Sequence, residues 1–119
     1  MRVYVATKVS LLKELVDGKE VTFEEYLAPE QFEFASGVDE EEQEHLISQL
    51  AADDSFEMNQ GKEAYVLALE LHEEQLNGEA ITVDFGQVAA LLKSEDGEEL
   101  SWFAPEEIKF NLLEWISQQ

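Results

Sequence analysis

Residues 64–71, AYVLALEL, form an almost continuous apolar run in a chain otherwise dense in charge. Gly61 bounds the run on one side and an acidic stretch on the other. A run this short, without polar alternation, reads as a central strand buried on both faces. The rest of the chain has to supply its neighbours.

Residues 1–6 alternate, with Val3 and Val5 to one side and Arg2 and Tyr4 to the other, which predicts a strand. Thr7 is placed to cap a helix over 8–17. There Val9, Leu12, Leu15 and Val16 share a face, Leu11 widens it and Gly18 stops it. One of the stretches 20–28 and 31–36 should be a strand. The alternation of Phe32 and Phe34 favours 31–36. Asp39, followed three residues on by Glu42, marks a helix start, and acids in the first turn suit the helix dipole. That helix should run from 39 to 54 or 58, burying Leu46, Ile47, Leu50 and Ala51, with Asp53–Asp54 weakening its second half. Residues 80–85 alternate as a strand with Ile81, Val83 and Phe85 inward. VAALLK is either a short helix or the first arm of a hairpin. In the hairpin reading, which is favoured, strands 88–93 and 99–103 hinge at Asp96–Gly97. Pro105, with Glu106 and Glu107 behind it, opens a last helix that reaches Ser117.

The order predicts a single α+β domain over residues 1–119. It has an antiparallel or mixed sheet with about three helices packed on one face. A chain of 119 residues allows one core, and 45% hydrophobic residues is a globular composition.

Charge sets what this fold can meet. The chain carries 28 acids and seven Lys+Arg, for a formal net charge of -21. Residues 1–20 hold four bases and three acids, whereas residues 21–119 hold three bases and 25 acids. Such a surface repels nucleic-acid backbones and anionic lipid, because phosphate contacts need Lys and Arg to displace counterions. No direct nucleic-acid binding and no membrane association are expected; a protein partner should be basic. No apolar stretch approaches a membrane span, and MRVYVATKVSLL reads as folded chain and not as a signal peptide. The absence of cysteine removes disulfides, thiolate nucleophiles and Cys-based metal sites. A cytoplasmic location is expected.

Chemistry is thinly signalled. Glu42 and His45, three apart on a predicted helix, could face one metal, and His72 is the second histidine. A solvated helix face explains the pair more simply, so these three are weak metal candidates and no metal is expected. The acids at 39–42 lack the spacing that wraps calcium. No phosphate-binding glycine loop and no nucleophile elbow occur, so no cofactor and no catalysis are expected, with a metal-binding protein or an enzyme of unknown reaction as the alternative.

The last helix says more. Ile108, Leu112, Trp115 and Ile116 cover one face, while Phe110 and Leu113 fall outside it. Phe110 and Leu113 are therefore candidate partner-binding residues, facing a second copy or another protein, with core packing or incidental exposure as the plainer alternative. A DNA mimic, presenting Glu40, Glu41 and Glu44 with Glu24, Glu25 and Glu33 as phosphate-like rows, is an alternative reading of the same charge.

Four segments, in order, resemble an uncharacterised domain family found mainly in actinobacteria: Met1–Thr7, Asp39–Ser55, Tyr65–Leu71 and Leu100–Ile108. The likeness lies in the opening M-R-V-Y strand with its A-T step, an acidic-start helix, the apolar strand and the late L-S-W-F-A segment before Glu107–Ile108. This chain is shorter between its strands and less alanine-rich. The resemblance implies a bacterial, cytoplasmic α+β protein and carries no activity or residue role. The expectation is a small acidic interaction or regulatory protein.

Overall fold

In the computed structural model the first strand, β1 (Arg2–Thr7), lies beside the apolar run, which is β3 (Ala64–Glu70). The structure describes residues 1–29, 37–76, 80–95 and 99–118. The other elements are α1 (Val9–Val16), β2 (Val21–Phe23), α2 (Glu40–Met58), β4 (Ile81–Val83), β5 (Val88–Ser94), β6 (Ser101–Phe103) and α3 (Pro105–Ser117). Among the described residues, four strands form an antiparallel sheet in the order β1-β3-β5-β6, and β2 pairs with β4 in a separate two-stranded ribbon. The α+β class and the antiparallel sheet therefore stand as expected.

The helices do not share one face. Side chains alternate across a strand. Val3 and Val5 of β1, with Leu67 and Leu69 of β3, pack against Leu12 and Leu15 of α1 and Ile108 and Leu112 of α3. Tyr4, Val66 and Ala68 point the other way, toward Ile47, Ala51 and Ala52 of α2. Burying β3 on both sides requires a layer on each. The expected placement of all three helices on one face gives way to two layers because β3 is apolar on both sides.

The α2 stripe is also displaced. Ile47, Ser48, Ala51, Ala52 and Ser55 are buried, while Leu46 and Leu50 are exposed. Alanines on α2 meet Ala64 and Ala68 on the sheet, so small side chains occupy the seam and the leucines face away. Asp39 does cap α2, its carboxylate accepting from the Glu42 N–H at 2.9 Å. The helix runs through Asp53–Asp54 because Ser55 anchors its far end: Ser55 Oγ donates to Thr7 O at 2.8 Å and accepts from Tyr65 N at 2.7 Å.

Thr7 is not the cap of α1. It is paired with Tyr65 in the β1–β3 register, fully buried, and Lys8 occupies the cap position without a side-chain bond. Gly18 ends α1 with φ +91°, a conformation that L side chains rarely adopt. Of the two stretches that competed for a strand, 20–28 contains β2; 31–36 lies outside the described residues. The hairpin of β5 and β6 is present, with Leu91 opposite Phe103 and Leu92 opposite Trp102. Its Asp96–Gly97 hinge lies outside the described residues. Phe85 is half-buried and opens a short 3-10 turn after β4. Helix α3 begins at Pro105 and ends at Ser117, and Glu107 reaches back to accept from the Ala104 N–H at 3.1 Å.

Candidate interaction surfaces

Helix α3 faces the sheet through Ile108, Leu112 and Trp115. The Trp115 ring stands edge-on to Phe103 with centroids 5.0 Å apart, and edge-on to Tyr65 at 6.1 Å. These contacts fix the roll of the helix about its axis. A helix set this way must carry Phe110 and Leu113 on its far side, and they are 86% and 80% exposed. Neither enters the core, so the apolar face at this helix is a surface feature.

The helices on the two sides of the sheet differ in charge. Residues 8–19 and 105–118, which span α1 and α3, hold four lysines and five acids. Residues 39–58, which span α2 and its cap, hold eight acids and no Lys or Arg.

On the α2 side, a groove of about 570 Å³ lies between the first half of α2 and the β5–β6 hairpin. Its floor is the sheet surface at Tyr4, Ala68, Ala90 and Leu92, and Leu100 and Trp102 line the hairpin side. Glu41, Glu44 and His45 line the helix side. Trp102 is 60% exposed. Arg2, at the end of the groove, is held across the β1–β3 pair by Glu70, Nε to Oε1 at 2.8 Å. Burial works against the Arg2 charge, but the Glu70 hydrogen bond and charge, together with Tyr4 and Glu44, outweigh it and raise the guanidinium pKa. Burial, followed by the negative charge of Glu44, pushes the Tyr4 phenol above its ordinary value, with Arg2 opposing.

The residues proposed for a metal are not gathered into a site. Glu42 and His45 line a shallow recess with Asp39 at the start of α2, and His72 lies beyond the end of β3. Among the described residues, no three His, Asp or Glu side chains converge to hold an ion. Of the acids considered for a phosphate-like row, Glu24, Glu25, Glu40 and Glu41 are exposed and Glu44 is half-buried. Glu33 lies outside the described residues.

Sequence reasoning missed a buried polar group. Lys93 Nζ lies 3.3 Å from Glu63 Oε2 and 3.6 Å from Glu95 Oε1. The Tyr65 hydroxyl donates to the same Glu63 oxygen at 2.7 Å. The signal was available: Lys93 is two residues beyond Leu91, on the buried side of a strand. Among the described residues no helix is long and apolar enough to cross a membrane.

Compared with family models, curated proteins and solved structures, the chain matches none of them.

Proposed function

We propose that this chain is a small acidic interaction or regulatory protein of the cytoplasm that acts by binding other proteins and performs no catalysis. The supporting observation is the pair Phe110 and Leu113, 86% and 80% exposed on a helix whose opposite face is locked into the core. Burying a phenylalanine and a leucine is worth about 1.5–3 kcal/mol each, and the folded monomer forgoes it. The near-balanced charge of α1 and α3 makes this the side on which a second copy meets least repulsion.

Self-association through α3 is tested by the mass of the chain in solution, alone and with Phe110→Glu and Leu113→Glu together. A concentration-dependent dimer that the double variant abolishes supports the reading. A monomer at every concentration rules out self-association through α3.

A further inference from the structure

We propose that the groove between α2 and the β5–β6 hairpin binds a peptide segment of a partner protein that carries arginine beside apolar side chains. The inference concerns a different surface from the outer face of α3 and stands or falls separately.

Three observations lead to it. First, the apolar lining is open on its hairpin side: α2 buries Tyr4, Ala68 and Ala90 of the floor but leaves Leu92 of β5 half-buried and Trp102 of β6 60% exposed. In the register Ala6–Val66–Leu92–Trp102, one row of side chains runs from beneath α2 out into the groove. Second, the walls are anionic. Glu41 and Glu44 stand on the helix side and Glu99 on the hairpin side. The one arginine on this lining is hydrogen-bonded to Glu70, whose charge opposes its own, so the three acids outweigh it. Third, Trp102 presents an aromatic surface within the same groove, on the wall opposite Glu41 and Glu44.

Together these select the occupant. An anionic rim rejects acidic ligands and favours a cation. An aromatic wall facing carboxylates suits a planar, weakly hydrated guanidinium, which stacks on the ring while its N–H groups reach the acids. The apolar floor favours hydrophobic neighbours of that arginine. Arginine is thus preferred over lysine, whose compact ammonium is strongly hydrated and lacks the planar stacking surface.

The probe is a short synthetic peptide alternating arginine and leucine, titrated into the full chain at physiological salt. Binding should be saturable, and amide chemical shifts should move at Trp102, Leu92 and the first half of α2. Trp102→Ala should weaken it by about tenfold. Glu41→Gln with Glu44→Gln should weaken it by about fivefold, while the charge-matched pair Glu106→Gln with Glu107→Gln on α3 changes it by less than about twofold. Replacing every arginine with lysine should weaken it. Phe110→Glu with Leu113→Glu should leave it intact, which separates this inference from self-association. Equal loss from both glutamate pairs would show diffuse attraction to an anionic surface and overturn the proposal. So would shifts spread over α2 without Trp102, or a lysine peptide that binds as well. The shift map on the unaltered chain decides the matter even where a variant folds poorly.

Discussion

Lys93 and Glu63 form an ion pair of 3.3 Å whose side chains are only 6% and 13% exposed. They sit at the ends of adjacent strands of the sheet, with Tyr65 between them in space: its hydroxyl holds the Glu63 carboxylate and its ring lies 5.6 Å from Lys93 Nζ. Removing one partner strands the other. Glu63→Ala should cost about 2–3 kcal/mol in urea unfolding, near the lower end for breaking a buried pair because Glu95 still stands 3.6 Å from the lysine. Lys93→Met combined with Glu63→Gln should cost less than about 1 kcal/mol, since no buried charge remains. Equal losses in the two proteins would contradict this.

Alkaline pH should act through Tyr65. Burial, reinforced by the bond to Glu63, raises its pKa far above the ordinary phenol range. Tyr4 is raised as well, by burial and the Glu44 charge. An unfolded tyrosine ionises near pH 10, so above that point the unfolded state loses protons that the native state keeps. The contribution is complete below about pH 10 and fades as pH rises beyond it. Denaturation midpoints should fall above about pH 10, and fall less steeply in Tyr65→Phe.

The junction of β1, α2 and β3 allows two substitutions of opposite sign. Ser55→Ala removes the donor to Thr7 O and the acceptor for Tyr65 N, in a fully buried place. It should destabilise by about 1–3 kcal/mol. Thr7 Oγ1 is buried with no hydrogen-bond partner among the described residues. Thr7→Val keeps the shape and drops the unsatisfied hydroxyl, so it should stabilise by about 1 kcal/mol. Calorimetric midpoints that move the same way in both would contradict the assignment.

Salt should strengthen the fold. A net charge of -21 on 119 residues repels itself, and the acids on α2 have no Lys or Arg within their own helix. Between about 10 and 150 mM salt the Debye length drops from roughly 30 Å to about 8 Å. The thermal midpoint should rise by about 5 °C over that interval. A flat response would mean that the acids already lie too far apart to interact.

Periodicity carried the elements with strong end signals. Pro105, Asp39 and Gly18 each mark a boundary through backbone chemistry, and each does so in the structure. Hydrophobicity misled where side-chain size mattered more. Ser48 and Ser55 are buried on α2 and Leu46 and Leu50 are not, because the helix approaches an alanine-rich sheet face and its serines bond to backbone carbonyls. Thr7 looked like a cap because local sequence cannot report its pairing with Tyr65, 58 positions away. The outward turn of Phe110 and Leu113 could be read from helical spacing. The groove could not, since it joins α2 to a hairpin about fifty residues later through strand order. Trp102 alone gave no hint of which face it would take.

Sedimentation over a concentration series, at moderate salt to screen the net charge, tests the outer face of α3 most directly. With four apolar side chains buried at a two-fold contact, less the cost of association, a dimer with Kd on the order of 100 μM is expected. The mass should climb from 13.5 kDa toward twice that value, and Phe110→Glu with Leu113→Glu should hold it at the monomer. A single monomeric species up to millimolar concentration, or a dimer indifferent to the double substitution, would contradict self-association through the outer face of α3.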